Sequence, residues 1–163
     1  MQYRQLGRSG LKVSPLCLGT MMFGGPTDEA TSKRIVDKAL DAGINFIDTA
    51  DAYSNGGSEE VVGRAVKGLS NKPYIFSKCE RRWGADRVIY KCLKKASILE
   101  ECESSLRRLN VDTIDLYQIH WPEPDEDIEE GWAACEELRK SGKVRYIGIC
   151  NFNAEQMARI AKT

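Results

Sequence analysis

The chain has 163 residues, enough for one domain with a sizeable core, and carries 24 basic and 24 acidic residues. This balance of charge gives no reason to expect nucleic acid or an anionic membrane surface as a partner. The longest apolar runs are strand-length, the polar N-terminal sequence has no signal-peptide core, and the six scattered cysteines form no C-x-x-C pair, so we expect a cytoplasmic chain with reduced, mostly buried thiols, no transmembrane helix and no metal site.

The N-terminal residues predict a β-hairpin, followed by a strand and a helix. Residues 1–15 contain two short β-like runs around the segment GRSG, whose glycines suit a tight turn. Residues 16–19 predict a first buried strand. The helix that follows is expected to have Thr27 as its N-cap and Gly43 as a left-handed C-terminal cap.

Further strand–helix units follow, joined by short connections. The predicted strands are 45–48, 74–78, 114–119 and 144–150, and the predicted helices are 58–67, 95–109, 126–140 and 153 onward. A longer segment, 79–94, carries Arg81 and Arg82, which we expect in a solvated loop. The alternation predicts a single α/β domain over 1–163: a partial parallel (β/α)8 TIM barrel with an N-terminal β-hairpin and about five parallel strands, each followed by a helix.

Three of the predicted strands end on a polar residue that is capable of proton chemistry. These residues are Asp48, Lys78 and His120, and Tyr53 follows Asp48 by five positions. In a parallel barrel the C-terminal ends of the strands meet at one rim, where active sites are built. We therefore expect the four side chains to converge there.

Together these four groups suit the reduction of a carbonyl group. Tyrosine is a weak acid at neutral pH, and a nearby ammonium group such as Lys78 eases the release of its proton. A buried Lys78 needs a counter-charge, which Asp48 can supply, and a neutral His120 can orient a carbonyl oxygen. No side chain supplies a hydride, so the chemistry requires a cofactor.

Four segments together resemble the aldo-keto reductase superfamily, nearest to the bacterial-type branch that also includes the potassium-channel β subunits. They are YRQLGRSGLKVSPLCLGTMMFGG, DTADAYSNGGSEEVVGRAV, IDLYQIHWP and KVRYIGICNF. The resemblance implies NADPH-dependent reduction of an aldehyde or ketone to an alcohol in a (β/α)8 barrel. It also implies a catalytic tetrad of Asp48, Tyr53, Lys78 and His120, in which Tyr53 is the general acid, Asp48 and Lys78 tune it, and His120 orients the substrate.

The resemblance further implies a cofactor site and a substrate pocket. The expected cofactor-binding residues are Gly19, Thr20, Met21, Asp48, Cys150 and Asn151. The expected walls of the substrate pocket are Met21, Trp83 and Trp121. Two positions depart from the family pattern: Ser54 replaces a glycine, and Cys150 replaces a serine that holds the nicotinamide carboxamide. Because a thiol donates hydrogen bonds weakly, we expect a looser grip on the carboxamide.

Several alternatives stay open at this point. Alone, Asp48 is typical of a loop cap, Lys78 of a solvent-reaching side chain and His120 of a core residue, and only their coincidence favours the tetrad. Cys150 is equally typical of a buried structural thiol. The sequence does not distinguish NADPH from NADH, and it does not identify the carbonyl substrate.

The length of the chain raises a second set of alternatives. A barrel of this type takes about 250 residues, so the chain is expected to be the N-terminal part, with about five of eight βα units. We expect it either to associate with itself through the open barrel edge or to need a missing C-terminal half. The alternative functions are a non-catalytic interaction module of aldo-keto-reductase-like fold and an inert fragment.

Overall fold

A computed structural model describes residues 1–163 and has an α/β fold, in which the strands of a five-stranded parallel sheet alternate with helices. In chain order the elements are β1 (Arg4–Gln5), β2 (Lys12–Val13), β3 (Leu18–Gly19), α1 (Glu29–Asp41), β4 (Phe46–Asp48), α2 (Gly57–Val66), β5 (Tyr74–Cys79), β6 (Arg81–Trp83), β7 (Ile89–Lys91), α3 (Lys95–Leu109), β8 (Ile114–Ile119), α4 (Ile128–Lys140), β9 (Val144–Ile149) and α5 (Ala154–Ile160). The fold class predicted from the sequence is confirmed. None of the helices combines the length and the apolar character needed to cross a membrane.

The parallel sheet has the strand order β3-β4-β5-β8-β9, so each strand pairs with the next parallel strand along the chain. A parallel connection must cross back over the sheet, and helices α1 to α4 lie in these crossovers. As a result the C-terminal ends of all five strands lie at one edge. The outer strands β3 and β9 have one neighbour each, so the sheet is open on both sides.

The two faces of the sheet have different coverings. In β5, Ile75 and Cys79 belong to the main core of 23 buried residues, which is built from the strands and the helices. Phe76 points the other way and packs with Leu11 and Val13 of the N-terminal segment. The helices therefore cover one face, and the N-terminal hairpin, in which β1 and β2 are antiparallel, covers part of the other. By the alternation of side chains, Lys78 shares the face of Phe76.

The N-cap of α1 is Asp28, and the prediction of Thr27 was wrong. The Asp28 carboxylate accepts hydrogen bonds from the Thr31 backbone N (2.9 Å) and from Thr31 Oγ1 (3.0 Å). The backbone N of Thr27 instead donates to the Met22 carbonyl, in the preceding turn. At the other end Gly43 has a φ of 88°, the left-handed conformation that was predicted.

The first parallel strand is shorter and more exposed than the sequence suggested. Only Leu18–Gly19 pair as a strand, and Leu16 is 61% exposed. The reason is that β3 lies at an edge of the sheet, where it has a neighbour on one side only. Helix α4 also differs from its predicted start at residue 126. It begins at Ile128, after a 3-10 turn over Asp125–Asp127.

The segment 79–94 contains a second antiparallel hairpin, in contrast to the predicted loop. Strand β6 pairs with β7, with Trp83 opposite Ile89. Arg81 and Arg82 are both partly buried and ion-paired, Arg81 with Glu123 and Arg82 with Glu100, so the prediction that they are solvated was wrong. Three-residue strands leave too short a pattern to be recognised from sequence.

The six cysteines are all free. Cys79, Cys102 and Cys135 are buried in the main core, whereas Cys17 is exposed and Cys92 and Cys150 are partly buried. Half of the thiols are therefore buried, fewer than the majority that was expected. Desolvation by burial raises the pKa of the Cys102 thiol to about 12. Burial also raises the pKa of the Cys79 thiol well above its ordinary value, so Cys79 and Cys102 are protonated and unreactive at neutral pH.

Candidate active site

Lys78 is the centre of the polar group at the C-terminal edge of the sheet. Its Nζ donates hydrogen bonds to Asp48 Oδ1 at 2.5 Å, to the Thr49 carbonyl at 2.9 Å and to Tyr53 Oη at 3.3 Å. The three N–H groups of the ammonium thus have one acceptor each. The pairing of β4 with β5 brings Asp48 and Lys78 to neighbouring strand ends, because Asp48 lies opposite Phe76.

The charge on Lys78 is stabilised by its counter-ion. The side chain is only 6% exposed, and burial alone would lower its pKa, but the Asp48 carboxylate reverses this effect and raises the pKa above its ordinary value. Lys78 is therefore an ammonium group throughout the neutral range. An ammonium in hydrogen-bond contact with a phenol oxygen stabilises the negative charge left when the phenol loses its proton.

Gln118 also contacts the carboxylate of Asp48, and sequence reasoning did not include it in the site. Its Nε2 lies 3.5 Å from Asp48 Oδ2, so both oxygens of the carboxylate have a partner. Gln118 lies opposite Lys78 in the sheet. The available signal was its position two residues before His120, on the same face of one strand.

The ring of Tyr53 lies between Lys78 and His120. Lys78 Nζ is 4.9 Å from the centre of the Tyr53 ring, and the rings of Tyr53 and His120 meet edge to face with their centres 5.7 Å apart. A tight turn positions the tyrosine, since Ser54 and Asn55 both have left-handed backbone conformations. Because Tyr53 Oη accepts from Lys78, its own hydrogen is free to point away from the protein.

His120 is a neutral imidazole in this environment. Desolvation by burial, with smaller contributions from the positive charges of Lys78 and Arg81, lowers its pKa to about 4. Its Nδ1 is buried without a hydrogen-bond partner. The backbone on either side is fixed, because His120 N donates to the Cys79 carbonyl at 3.1 Å and its carbonyl accepts from Asn151 Nδ2 at 2.8 Å.

Cys150 and Asn151 follow the end of β9, next to His120. Asn151 has a left-handed backbone with φ of 62°, and its Nδ2 also lies 3.3 Å from Cys150 Sγ. The amide oxygen of Asn151 makes no hydrogen bond within the protein. This pair therefore leaves one strong acceptor, the amide oxygen, and one weak donor, the thiol, for an external group.

A pocket beside Tyr53 and Asp48 contains the turn that follows β3. Gly19, Thr20 and Met21 line it, and no atom lies within 4 Å of the position that a Cβ on Gly19 would take. Thr20 is buried, and its hydroxyl donates to the Asp48 carbonyl at 3.1 Å. The pocket is thus open on its glycine side and is lined by two of the four polar side chains, Asp48 and Tyr53.

The two tryptophans predicted to line the substrate pocket lie in different places. Trp121 is partly exposed beside the four polar groups, and its ring stacks near that of His120 with an interplanar angle of 27°. Trp83 lines another pocket, with Asp51, Glu101 and Arg108, which contains none of the four. Its ring lies 5.2 Å from the guanidinium carbon of Arg108.

Together the arrangement provides a phenol whose oxygen is held by a buried ammonium, beside a neutral imidazole. The site can deliver a proton to an oxygen atom placed between Tyr53 and His120. It can then stabilise the resulting phenolate through Lys78 and Asp48.

Known proteins similar to this chain are aldo-keto reductases. The sequence profile of the Aldo/keto reductase family matches residues 15–163. Aldo-keto reductase YhdN of Bacillus subtilis is 43% identical over 163 residues, which cover 96% of this chain and 49% of YhdN.

Solved structures agree with this similarity. The holo form of aldo-keto reductase AKR11C1 from Bacillus halodurans has a TM-score of 0.91 and 40% identity, covering 99% of this chain and 54% of that one. An aldo-keto reductase from Klebsiella pneumoniae in complex with NADPH has a TM-score of 0.79 and 33% identity, covering 93% of this chain and 50% of that one. The chain spans about half the length of the relatives that it matches.

Proposed function

The chain belongs to the aldo/keto reductase family, and from this we propose that it carries the catalytic residues of an NADPH-dependent reductase of aldehydes or ketones. The observation that carries the proposal is the threefold contact of Lys78, which binds Asp48, the Thr49 carbonyl and the oxygen of Tyr53. A lysine held in this way leaves the Tyr53 proton free for a substrate.

In the proposed reaction Tyr53 is the general acid. Its O–H donates to the carbonyl oxygen of the substrate and gives up the proton as the carbonyl carbon is reduced. His120, neutral because of its lowered pKa, donates a hydrogen bond from Nε2 to the same oxygen and so orients the substrate. The Lys78 ammonium, neutralised by Asp48, stabilises the phenolate that remains.

Two groups of residues at the strand ends suit the nicotinamide carboxamide and the ribose of the proposed NADPH. The donor and acceptor atoms suit a carboxamide, since the free oxygen of Asn151 can accept from its amide and Cys150 offers a weak donor. The open pocket over Gly19, Thr20 and Met21, beside Asp48, leaves room for the ribose. When bound, the cofactor supplies the hydride that no side chain provides.

The test mixes NADPH and 4-nitrobenzaldehyde with the full product of the gene that encodes this chain. The loss of absorbance at 340 nm measures the oxidation of NADPH. Tyr53→Phe is expected to lower kcat by about 10²–10⁴-fold, the usual contribution of a positioned general acid. The matched control is Tyr3→Phe, because the exposed Tyr3 hydroxyl donates its one hydrogen bond to the Gly43 carbonyl, away from the four polar groups. This variant should leave kcat unchanged.

Other outcomes separate the alternatives. A rate loss below tenfold for Tyr53→Phe in an active protein would mean that another group donates the proton. Quenching of tryptophan fluorescence by NADPH without any turnover would instead support a nucleotide-binding interaction module, and neither binding nor turnover would support an inert fragment. Repeating the titration with NADH decides the cofactor preference.

A further inference from the structure

Arg81 links the hairpin β6–β7 to the rim of the candidate active site. Its Nη2 contacts Glu123 Oε2 at 3.0 Å and its Nε lies 3.2 Å from Glu80 Oε2. Glu123 is held from the other side by Lys91 Nζ at 2.8 Å. The guanidinium is therefore anchored by Glu123 at one end and lies against the Glu80 carboxyl group at the other.

The backbone before Arg81 is also constrained. Glu80 has a φ of 93°, which non-glycine residues rarely adopt and which persists only where the surroundings hold it. Its backbone N donates to Glu101 Oε2 at 2.7 Å, and its carbonyl accepts from Cys92 N at 3.0 Å. These bonds turn the chain sharply at the end of β5 and aim Arg81 towards the loop that follows His120.

In that loop Arg81 contacts an aromatic ring of the site. The guanidinium carbon lies 5.4 Å from the centre of the Trp121 ring, within the range of a cation–π interaction. Trp121 in turn stacks near His120, with ring centres 6.5 Å apart, and His120 meets Tyr53 edge to face. A continuous series of contacts thus runs from Glu123 through Arg81 and Trp121 to the imidazole.

We propose that Arg81 is a positioning residue, which holds the Trp121 indole and through it keeps the His120 imidazole in the orientation needed to bind a carbonyl oxygen. The effect of Arg81 on catalysis rests on the proposed function, whereas its effect on the orientation of the imidazole does not. This positioning role also predicts that lysine cannot replace Arg81, because only a planar guanidinium can stack on the indole while it donates a hydrogen bond to Glu123.

The first test uses NMR, because His120 is the only histidine in the chain. Its imidazole protons are expected to be shifted by the ring current of Trp121, and Trp121→Leu gives the reference without that ring. Arg81→Gln and Arg81→Lys should both move the imidazole signals most of the way to this reference. The matched control is Arg82→Gln, because Arg82 pairs with Glu100 and Ser97 and should leave the signals unchanged.

Titration of the same signals separates position from charge. Tyr53, Lys78 and Arg81 are the titratable groups that face the imidazole. Arg81→Gln removes one positive charge and should raise the pKa of His120, whereas Arg81→Lys keeps the charge and should leave the pKa near that of the unmodified protein. Imidazole signals that stay in place in Arg81→Lys would overturn the positioning role.

Kinetics provide the second readout in an active protein. Both Arg81 variants are expected to lose about 10- to 100-fold in kcat, the scale expected when a catalytic group is misplaced, with KM for NADPH unchanged. Full activity in Arg81→Lys would overturn the proposal. If the unmodified protein shows no turnover, the proposed function fails while the NMR comparison still decides the role of Arg81.

A second variant covers the case in which the Arg81 substitutions do not fold. Glu123→Gln removes the charged partner of Arg81 and leaves the arginine in place. We expect it to move the imidazole signals in the same direction by a smaller amount. Imidazole signals that do not move in Glu123→Gln would contradict the claim that Glu123 anchors the Arg81 guanidinium, and would overturn the proposal.

Discussion

At the scale of single residues, the site depends on a buried lysine that keeps its charge. Removing an ammonium group from water is unfavourable unless a counter-charge and hydrogen bonds replace the water. Lys78 has Asp48 as counter-charge and three acceptors for its three N–H groups. The same contacts that stabilise the charge also place it against the oxygen of Tyr53, so stability and chemistry have one structural cause.

Glu80 is the opposite case, a buried carboxyl group whose side chain lacks a hydrogen bond. Burial raises its pKa from 4.5 to about 8, although Arg81 opposes this effect. The unfolded chain therefore releases the proton near pH 4.5, while the folded protein keeps it until about pH 8. Since the folded state binds more protons across this window, the contribution of Glu80 to stability is greatest below pH 4.5 and is lost as the pH rises towards 8.

We therefore predict that Glu80→Gln raises the free energy of unfolding at pH 8 relative to the unmodified protein, because glutamine resembles the protonated acid. At pH 4.5 the two proteins should differ much less. Urea denaturation at several pH values measures this difference. The matched control is Glu126→Gln, because Glu126 is exposed and forms no ion pair. A gap between Glu80→Gln and the unmodified protein that does not grow with pH would contradict the prediction.

At the scale of secondary structure, one buried carboxylate joins α2, α3 and β5 behind the site. Glu59 of α2 is fully buried, accepts a hydrogen bond from Ser77 Oγ at 2.5 Å and pairs with Arg108 of α3 at 2.7 Å. Gly63 makes this approach of the helices possible, because a Cβ there would lie 2.6 Å from the Leu109 carbonyl oxygen. The helix pair thus supports the strand that carries Lys78.

Removing the arginine should leave an uncompensated charge in the core. We predict that Arg108→Met lowers the free energy of unfolding by about 3–5 kcal/mol, the usual effect of breaking a buried ion pair by removing one partner. Urea denaturation provides the measurement. The control is Arg107→Met, since Arg107 is exposed and its side chain hydrogen-bonds only to Ser104, one turn away. Equal losses in the two variants would contradict the prediction.

At the scale of the whole molecule, the sheet is open at both of its outer strands. β3 and β9 each pair with one neighbour, whereas a closed barrel leaves no unpaired edge. Exposed apolar side chains such as Leu16 and Met21 accompany the edge at β3. An open edge and an exposed apolar surface favour association with another segment of protein.

Self-association through this open edge therefore stays a prediction, with a missing C-terminal half as the alternative covering. We expect the apparent mass of the 163-residue chain to rise with protein concentration in light scattering coupled to size-exclusion chromatography. A constant monomer mass at high concentration would contradict self-association. The 163-residue chain and the full-length gene product should also be compared. Association of the chain together with a monomeric gene product would support a C-terminal half that covers the open edge of the sheet.

The sequence by itself determined the order of the parallel strands and of the helices between them, though not the hairpin β6–β7, and it determined the identity of the polar residues at the strand ends. Apolar patterning predicted α3 and β8 with the bounds that the structure has, because the apolar residues of α3 recur at helical spacing and those of β8 form a strand-length run. Strand alternation put Asp48, Lys78 and His120 at the ends of parallel strands. That inference required only the geometry of a single strand and the parallel pairing.

Tertiary structure alone decided which side chains join the site. Gln118 and Arg81 reach it, and Trp83 lies elsewhere, because the pairing of strands and the hairpin β6–β7 are contacts between residues distant in sequence. The choice of Asp28 over Thr27 as the helix cap depended on the Thr27–Met22 hydrogen bond. The charge states of Glu80 and His120 likewise follow from burial and from neighbours on other elements, which no local sequence pattern encodes.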